Sequence, residues 1–175
     1  SIFEEQQLLN GDGTAPNLRG YLNRSGIQTE TAADADDAID SFFRALSKVQ
    51  IATGLTADGI VINPADYQSV RLSKDANGQY IAGGPFGGPY GTSTTVTWQP
   101  PIWGMRTVVT SAIAAGTVLV GAFRQASTVY RKGGVSVSST NSNVDDFVHN
   151  LITVRAEERL ALAVRRGAVG IPRQL

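Results

Sequence analysis

Residues Val144–Gly170, VDDFVHNLITVRAEERLALAVRRGAVG, carry the pattern on which the reading of the whole chain turns. Taken with period two, one face holds Ile152, Val154, Ala156, Leu160, Leu162 and Val164, and the other Thr153, Arg155, Glu157, Arg159 and Arg165. Side chains alternate in this way along a strand with one buried face. Residues 155–163 are also rich in Ala, Leu, Glu and Arg, which favour helix. Strand is the better fit to the alternation, and helix stays open on propensity. In the strand reading Glu158 falls among the apolar positions, where an unpaired buried charge costs about 3–5 kcal/mol. A partner for Glu158 is therefore expected, from this chain or from another subunit.

Going outward, the 175 residues suffice for one substantial core or two small ones. Lys plus Arg and Asp plus Glu number 15 each. With no net charge, there is no global electrostatic case for nucleic acid or an anionic membrane. The chain has no cysteine, so disulfides, thiolate nucleophiles and sulfur metal sites are excluded. Its apolar runs fall far short of the roughly twenty residues that span a bilayer, and a soluble protein without membrane partners is expected. Ile2–Leu9 reads as the closing turns of a helix capped by Asn10 and Gly11. A helix without its own start implies an upstream portion. The Gly-, Asn- and Pro-rich residues 10–26 form a crossing loop, in which Asn10, Asp12 and Thr14 act as turn residues and not as a calcium loop, since Ala15 and Tyr21 occupy the Gly and Glu positions.

Ala35, Ala38, Ile39, Phe42, Phe43, Leu46 and Val49 recur at helical spacing over 34–49, with Asp34, Asp36 and Asp37 at the positive end of the helix dipole and Gly54 closing it. Gly59–Ile62 reads as a strand. Asn63-Pro64 caps a second helix running to about Lys74. Asn77-Gly78 marks a turn before a short strand at Gln79–Ile81. Gly83, Gly84, Pro85, Gly87, Gly88 and Pro89 belong to a flexible surface loop that lacks the spacing of a phosphate cradle and could order against a neighbouring molecule. Short strands follow at Thr94–Trp98, Arg106–Thr110, Val118–Phe123, Ser127–Arg131 and Val135–Ser139, with Trp103 and Phe123 as core candidates. Helices set among strands without βαβ regularity indicate an α+β fold.

No catalytic constellation emerges. His149 is the one histidine, no GxSxG elbow accompanies it, and zinc would need several more ligands. Glu157 and Glu158 are adjacent, so in a strand they point to opposite faces. Neither enzyme chemistry, nor a cofactor, nor a metal is expected. The alternating Arg155, Glu157 and Arg159, together with Glu158, instead suit register-specific contacts between subunits, each exposed pair contributing about 0–1 kcal/mol.

Four stretches taken together, LLNGDGTAPNLRGYLN, DGIVINPADY with RLSKDANGQYIAGGP, WGMRTVVT through AAGTVLVGAFRQ, and DDFVHNLITVRAEERLALAVRR, give the chain a family likeness. In content and order it resembles the major capsid protein of tailed double-stranded DNA bacteriophages of the Hong Kong ninety-seven type. The resemblance implies a phage coat fold, with an axial domain at 25–133 formed by a mixed sheet flanked by two helices. A peripheral domain would comprise the spine-helix end and crossing loop at 1–24 and the return at 134–175, including the long strand. It also implies a homo-oligomeric shell of hexamers and pentamers around double-stranded DNA that is not read by sequence, assembled in the bacterial host cytoplasm. The family's N-terminal arm, extended loop and spine helix would precede Ser1, and without them weak or partial assembly is expected. Some members join subunits by an isopeptide bond between a lysine and an asparagine, aided by a glutamate; the matching positions are Asn150 and Glu157. In an extended strand these lie about 23 Å apart, so any such bond would need several subunits. A cellular nanocompartment shell is an alternative, and so is a stand-alone module that uses residues 83–91 as a lid.

Overall fold

The computed structural model describes residues 2–32, 38–81 and 101–165, and the backbone of 169–173. They form two compact units, residues 1–127 with 164–175 and residues 128–163. Helix lies at α1 Ile2–Asn10, α2 Ala38–Thr53, α3 Pro64–Leu72 and α4 Phe123–Ala126. Among the described residues the strands are β1 Gln28–Thr31, β2 Gly59–Ile62, β3 Arg106–Val109, β4 Leu119–Gly121, β5 Ser127–Arg131, β6 Ser136–Thr140, β7 Thr153–Glu157, β8 Leu160–Val164 and β9 Val169–Arg173.

A five-stranded mixed sheet of order β1-β9-β4-β2-β3 organises the larger unit. The outer pairs β1–β9 and β2–β3 are parallel, and β4 runs antiparallel to both its neighbours. β9 was not anticipated from the sequence. It carries Pro172, which has no N–H to offer a ladder. That position faces only Glu30 of β1, because the pairing with β4 stops at Gly170. The proline therefore sits where the strand has a single neighbour, the location a sheet tolerates.

Burial of apolar area drives α2 onto this sheet. Phe42 and Ala45 of α2 join Ile60, Ile62, Val118 and Val120 in one cluster, and Val49 packs with Ala122 and Ala126 in a second. The buried stripe is Ala38, Ser41, Phe42, Ala45 and Val49, rotated from the expected one. Ser41 is tolerated inside because its hydroxyl donates to the Ala38 carbonyl at 2.6 Å, while Phe43 is exposed. α2 ends as expected at Gly54, whose φ of 70° is the left-handed conformation that closes a helix and whose N–H returns to Gln50 at 2.8 Å. Asn63 caps α3 by accepting from Ala65 N at 2.9 Å.

Several expectations are corrected. Trp103 is not a core residue: it is 51% exposed, lies against Phe43 with ring centroids 5.1 Å apart, and donates from Nε1 to the Ile39 carbonyl. Phe123 is only partly buried, edge-on to Tyr21 at 5.5 Å. It opens α4 instead of ending a strand, because the Asp58 carboxylate accepts from the N–H groups of Phe123 and Arg124 at 2.8 and 2.9 Å and starts the helix there. Gln79–Ile81 forms no strand; Tyr80 makes a lone bridge to Lys74. The turn reading of the crossing loop holds, since Asp12 Oδ1 accepts from Thr14 N and Asn17 Nδ2. The Thr14 N–H, aided by Asn17, holds the Asp12 carboxyl below its ordinary value. Asp34, Ala35, Asp36 and Asp37, the 83–91 loop and the expected strand Thr94–Trp98 lie outside the described residues.

One ion cluster ties β1 to α2. Glu30 accepts from Lys48 Nζ at 2.5 Å and Arg44 Nε at 2.8 Å. Those bonds, Lys48 first, hold the Glu30 carboxyl below its ordinary value. A carboxylate depressed on folding contributes stability that is full above its unfolded pKa and is lost as pH falls through the folded one. We expect Glu30→Gln to destabilise the chain at neutral pH by about 1 kcal/mol, because Arg44 and Lys48 are partly exposed. The difference should vanish once the medium is acidic enough to protonate Glu30, which urea unfolding at both pH values checks.

Candidate assembly interface

The stretch read as one long strand is two strands in the structure. β7 stops at Glu157 and β8 starts at Leu160, with Glu158 and Arg159 between them. The helical alternative for 155–163 is not observed. Glu158 has the partner its position demanded, and the partner belongs to the same chain: Oε1 lies 2.8 Å from Arg131 Nη1 on β5. The Glu158 side chain is 17% exposed and that of Arg131 52%, so the pair contributes about 0–1 kcal/mol. The Lys132 N–H donates to the Arg159 carbonyl at 2.9 Å and secures the same crossing.

β6 and β7 form a two-stranded antiparallel ribbon. Residues directly opposite in such a pair share a face. The register places Val137 against Ala156 and Ser139 against Val154 on one side, and Ser136 against Glu157, Ser138 against Arg155 and Thr140 against Thr153 on the other. One face is thus largely apolar and the other polar, with Arg155 Nε 3.1 Å from Glu157 Oε1. The expected burial of the apolar face is not found. Ile152 and Val154 are 71% and 64% exposed, and of the predicted stripe only Leu162 in β8 is buried. A two-stranded ribbon is marginal in water until something covers its apolar face.

The turn entering β7 extends this surface. Asp146 N bonds to Asn143 O, His149 N to Asp145 O, and Leu151 N to Asp146 O at 2.9, 3.1 and 2.8 Å. The Asp146 carboxylate accepts from the Thr153 hydroxyl, closing the turn onto the strand. Val144 and Asn150 take φ of 45° and 54°, conformations that cost a β-branched residue most. The turn is held tightly, yet it turns Val144, Phe147, Val148 and Leu151 outward, with Phe147 78% exposed. Apolar side chains gathered in this way mark an interaction site.

Asn150 ends the turn, and Glu157 sits at the far end of β7, about 13 Å of extended chain beyond Thr153. The structure does not bring them together within one chain. Arg155, Glu157 and Arg159 are exposed. Among the described residues no group of His, Asp and Glu side chains could hold a metal ion, and no helix is long and apolar enough to cross a membrane.

The Phage capsid family matches residues 3–169. The chain belongs to the phage capsid family. It is 41% identical over 165 residues to the major capsid protein of Enterobacteria phage HK97, which covers 93% of the chain and 40% of that protein. The chain thus spans well under half the length of this relative. Solved phage and particle shells share its mixed helix-and-sheet fold. They include the capsid of a native GTA particle (TM-score 0.68, 17% identity, covering 98% of the chain and 66% of the other) and Microbacterium phage Oxtober96 (0.70, 13%, 98% and 60%). A virus-like particle from Pyrococcus furiosus is similar as well (0.64, 16%, 98% and 63%). This family is one of structural proteins, consistent with a site built of apolar surface and paired charges.

Proposed function

We propose that this phage capsid family chain acts as part of an icosahedral shell subunit that assembles into hexamers and pentamers and encloses double-stranded DNA. The carrying observation is the uncovered apolar face of the β6–β7 ribbon, continuous in sequence with the exposed Val144–Ile152 turn. The axial role falls to residues 25–133, and the peripheral role to residues 1–24 and 134–175, although β9 of the latter segment pairs into the sheet of the former. Arg155, Glu157, Glu158 and Arg159 are the contacts that set register with neighbouring subunits, Glu158 also pairing with Arg131 of its own chain. The loop holding Gly83, Gly84, Pro85, Gly87, Gly88 and Pro89 is a further contact with neighbours. DNA is enclosed without being read by sequence, the shell forms in the host cytoplasm, and no membrane takes part. A cellular compartment is the weaker reading, because it draws only on fold.

Expression of the full-length gene product should yield closed shells by negative-stain microscopy; a monodisperse monomer at high concentration would reject the proposal. Asn150 and Glu157 are the crosslink candidates, acting with a lysine of another subunit. If the bond forms, denaturing gels of assembled particles show a heat-stable ladder that Asn150→Ala removes. A single monomer band rules the bond out.

A further inference from the structure

The chain contains two Asn-Gly dipeptides, Asn10-Gly11 and Asn77-Gly78, and the fold treats them oppositely. Asparagine before glycine is prone to self-modification, because glycine has no side chain to hinder its amide nitrogen from attacking the preceding carboxamide carbon. The reaction needs a carboxamide free to rotate and a backbone free to bring that nitrogen round.

At Asn10 both are denied. Its Nδ2 donates to the Ala112 carbonyl at 2.6 Å, and its own carbonyl accepts from Asn23 Nδ2 at 2.8 Å. The Gly11 N–H is held by Gln7 O at the end of α1, at 3.1 Å. Gly11 is buried so closely that a Cβ there would lie 2.2 Å from the Leu18 carbonyl oxygen. Moving this backbone means unpacking α1 from the crossing loop.

Asn77 is the reverse case. It is exposed at the tip of the Asp75–Gln79 turn, and its carboxamide has no hydrogen bond among the described residues. Gly78 takes φ of 79°, with open space where a Cβ would stand. Its N–H is engaged only across the turn, to Asp75 O at 3.0 Å. Asp75 Oδ1 holds the turn by accepting from Asn77 N and Gln79 N, all on exposed residues that open without disturbing the sheet.

We propose that Asn77-Gly78 is a self-modification site in the folded protein and that Asn10-Gly11 is protected. The Gly78 nitrogen attacks Cγ of Asn77. The new N–Cγ bond forms as the Cγ–Nδ2 bond breaks, and the carboxamide nitrogen leaves as ammonia with the proton from the Gly78 amide. Water then opens the five-membered succinimide at either carbonyl, giving aspartate or isoaspartate. Either product adds a carboxylate to the 15 acidic residues that now balance the 15 Lys and Arg. Isoaspartate also lengthens the turn backbone by one methylene, displacing the Asp75 bonds that define it.

The test is peptide mapping by mass spectrometry after timed incubation of the chain in mildly alkaline buffer, folded and in urea. In the folded chain Asn77 should convert at least ~10-fold faster than Asn10; in urea the two rates should agree within about threefold, since only the folded state distinguishes them. Conversion of Asn10 at the Asn77 rate in the folded chain would overturn the proposal. So would an Asn77 that converts in urea and stays intact in the folded protein.

Discussion

Val154→Asp is expected to abolish shell formation by the full-length protein while leaving the subunit folded. Val154 stands on the apolar face of the β6–β7 ribbon and is 64% exposed in the chain alone. A surface substitution of this kind changes stability by about 0.5 kcal/mol or less. In the shell the same position would be covered. A carboxylate carried into that contact without a partner costs several kcal/mol, roughly 3–5, and the cost recurs at every equivalent contact. Sedimentation and negative-stain microscopy should find free subunits or small oligomers, with a thermal melt matching the parent. Val154→Ile, which keeps the position apolar, is the control and should still assemble. Normal shells from Val154→Asp would show that the ribbon face is not an interface.

The second large effect lies in the larger unit. Phe42 is fully buried between α2 and the sheet, in contact with a cluster that includes Ile60, Ile62 and Val120. Phe42→Ala removes the ring and leaves a cavity that the flanking sheet cannot close, for a loss of about 3–5 kcal/mol. For a chain of this size that is a fall in Tm on the order of 10 °C. Phe43→Ala, one position along the same helix, removes a ring that is exposed and touches Trp103, and should cost no more than about 1 kcal/mol. Equal losses at the two positions, measured by urea unfolding, would contradict the orientation of α2.

What was legible in the sequence is what short-range physics determines. The cap of α3 by Asn63-Pro64, the stop of α2 at Gly54, and the strands at 59–62, 106–109 and 127–131 follow from turn chemistry and local apolar runs. The demand for a partner at Glu158 was legible too, because charge on an apolar stripe is costly wherever the stripe goes; that the partner would be Arg131 depended on pairing across the chain. The break at Glu158–Arg159 was hidden, since the apolar alternation resumes in the same phase at Leu160 and a single charge on the stripe does not by itself end a strand. Trp103 was misjudged because ring size argues for burial, whereas its Nε1 and positive φ hold it at the surface beside Phe43. Exposure of Val137 and Val154 was not readable at all. A strand built for a covered face has the same pattern whether the cover is its own chain or a neighbour.

The position of β9 bears on the order in which the chain can fold as it is made. It is the last of the described strands in sequence, yet it lies between β1 and β4, pairing Gln28 with Gly170 and Gly121 with Val169. Until those residues leave the ribosome, β1 has no neighbour and one side of β4 is open, so the nascent sheet presents unpaired strand edges while the ribbon is still being synthesised. Final closure of the sheet thus depends on contacts between distant parts of the sequence, which form slowly. A ribosome stalled within residues 128–163 would hold a chain whose β1 and β4 edges stay bare until β9 is added.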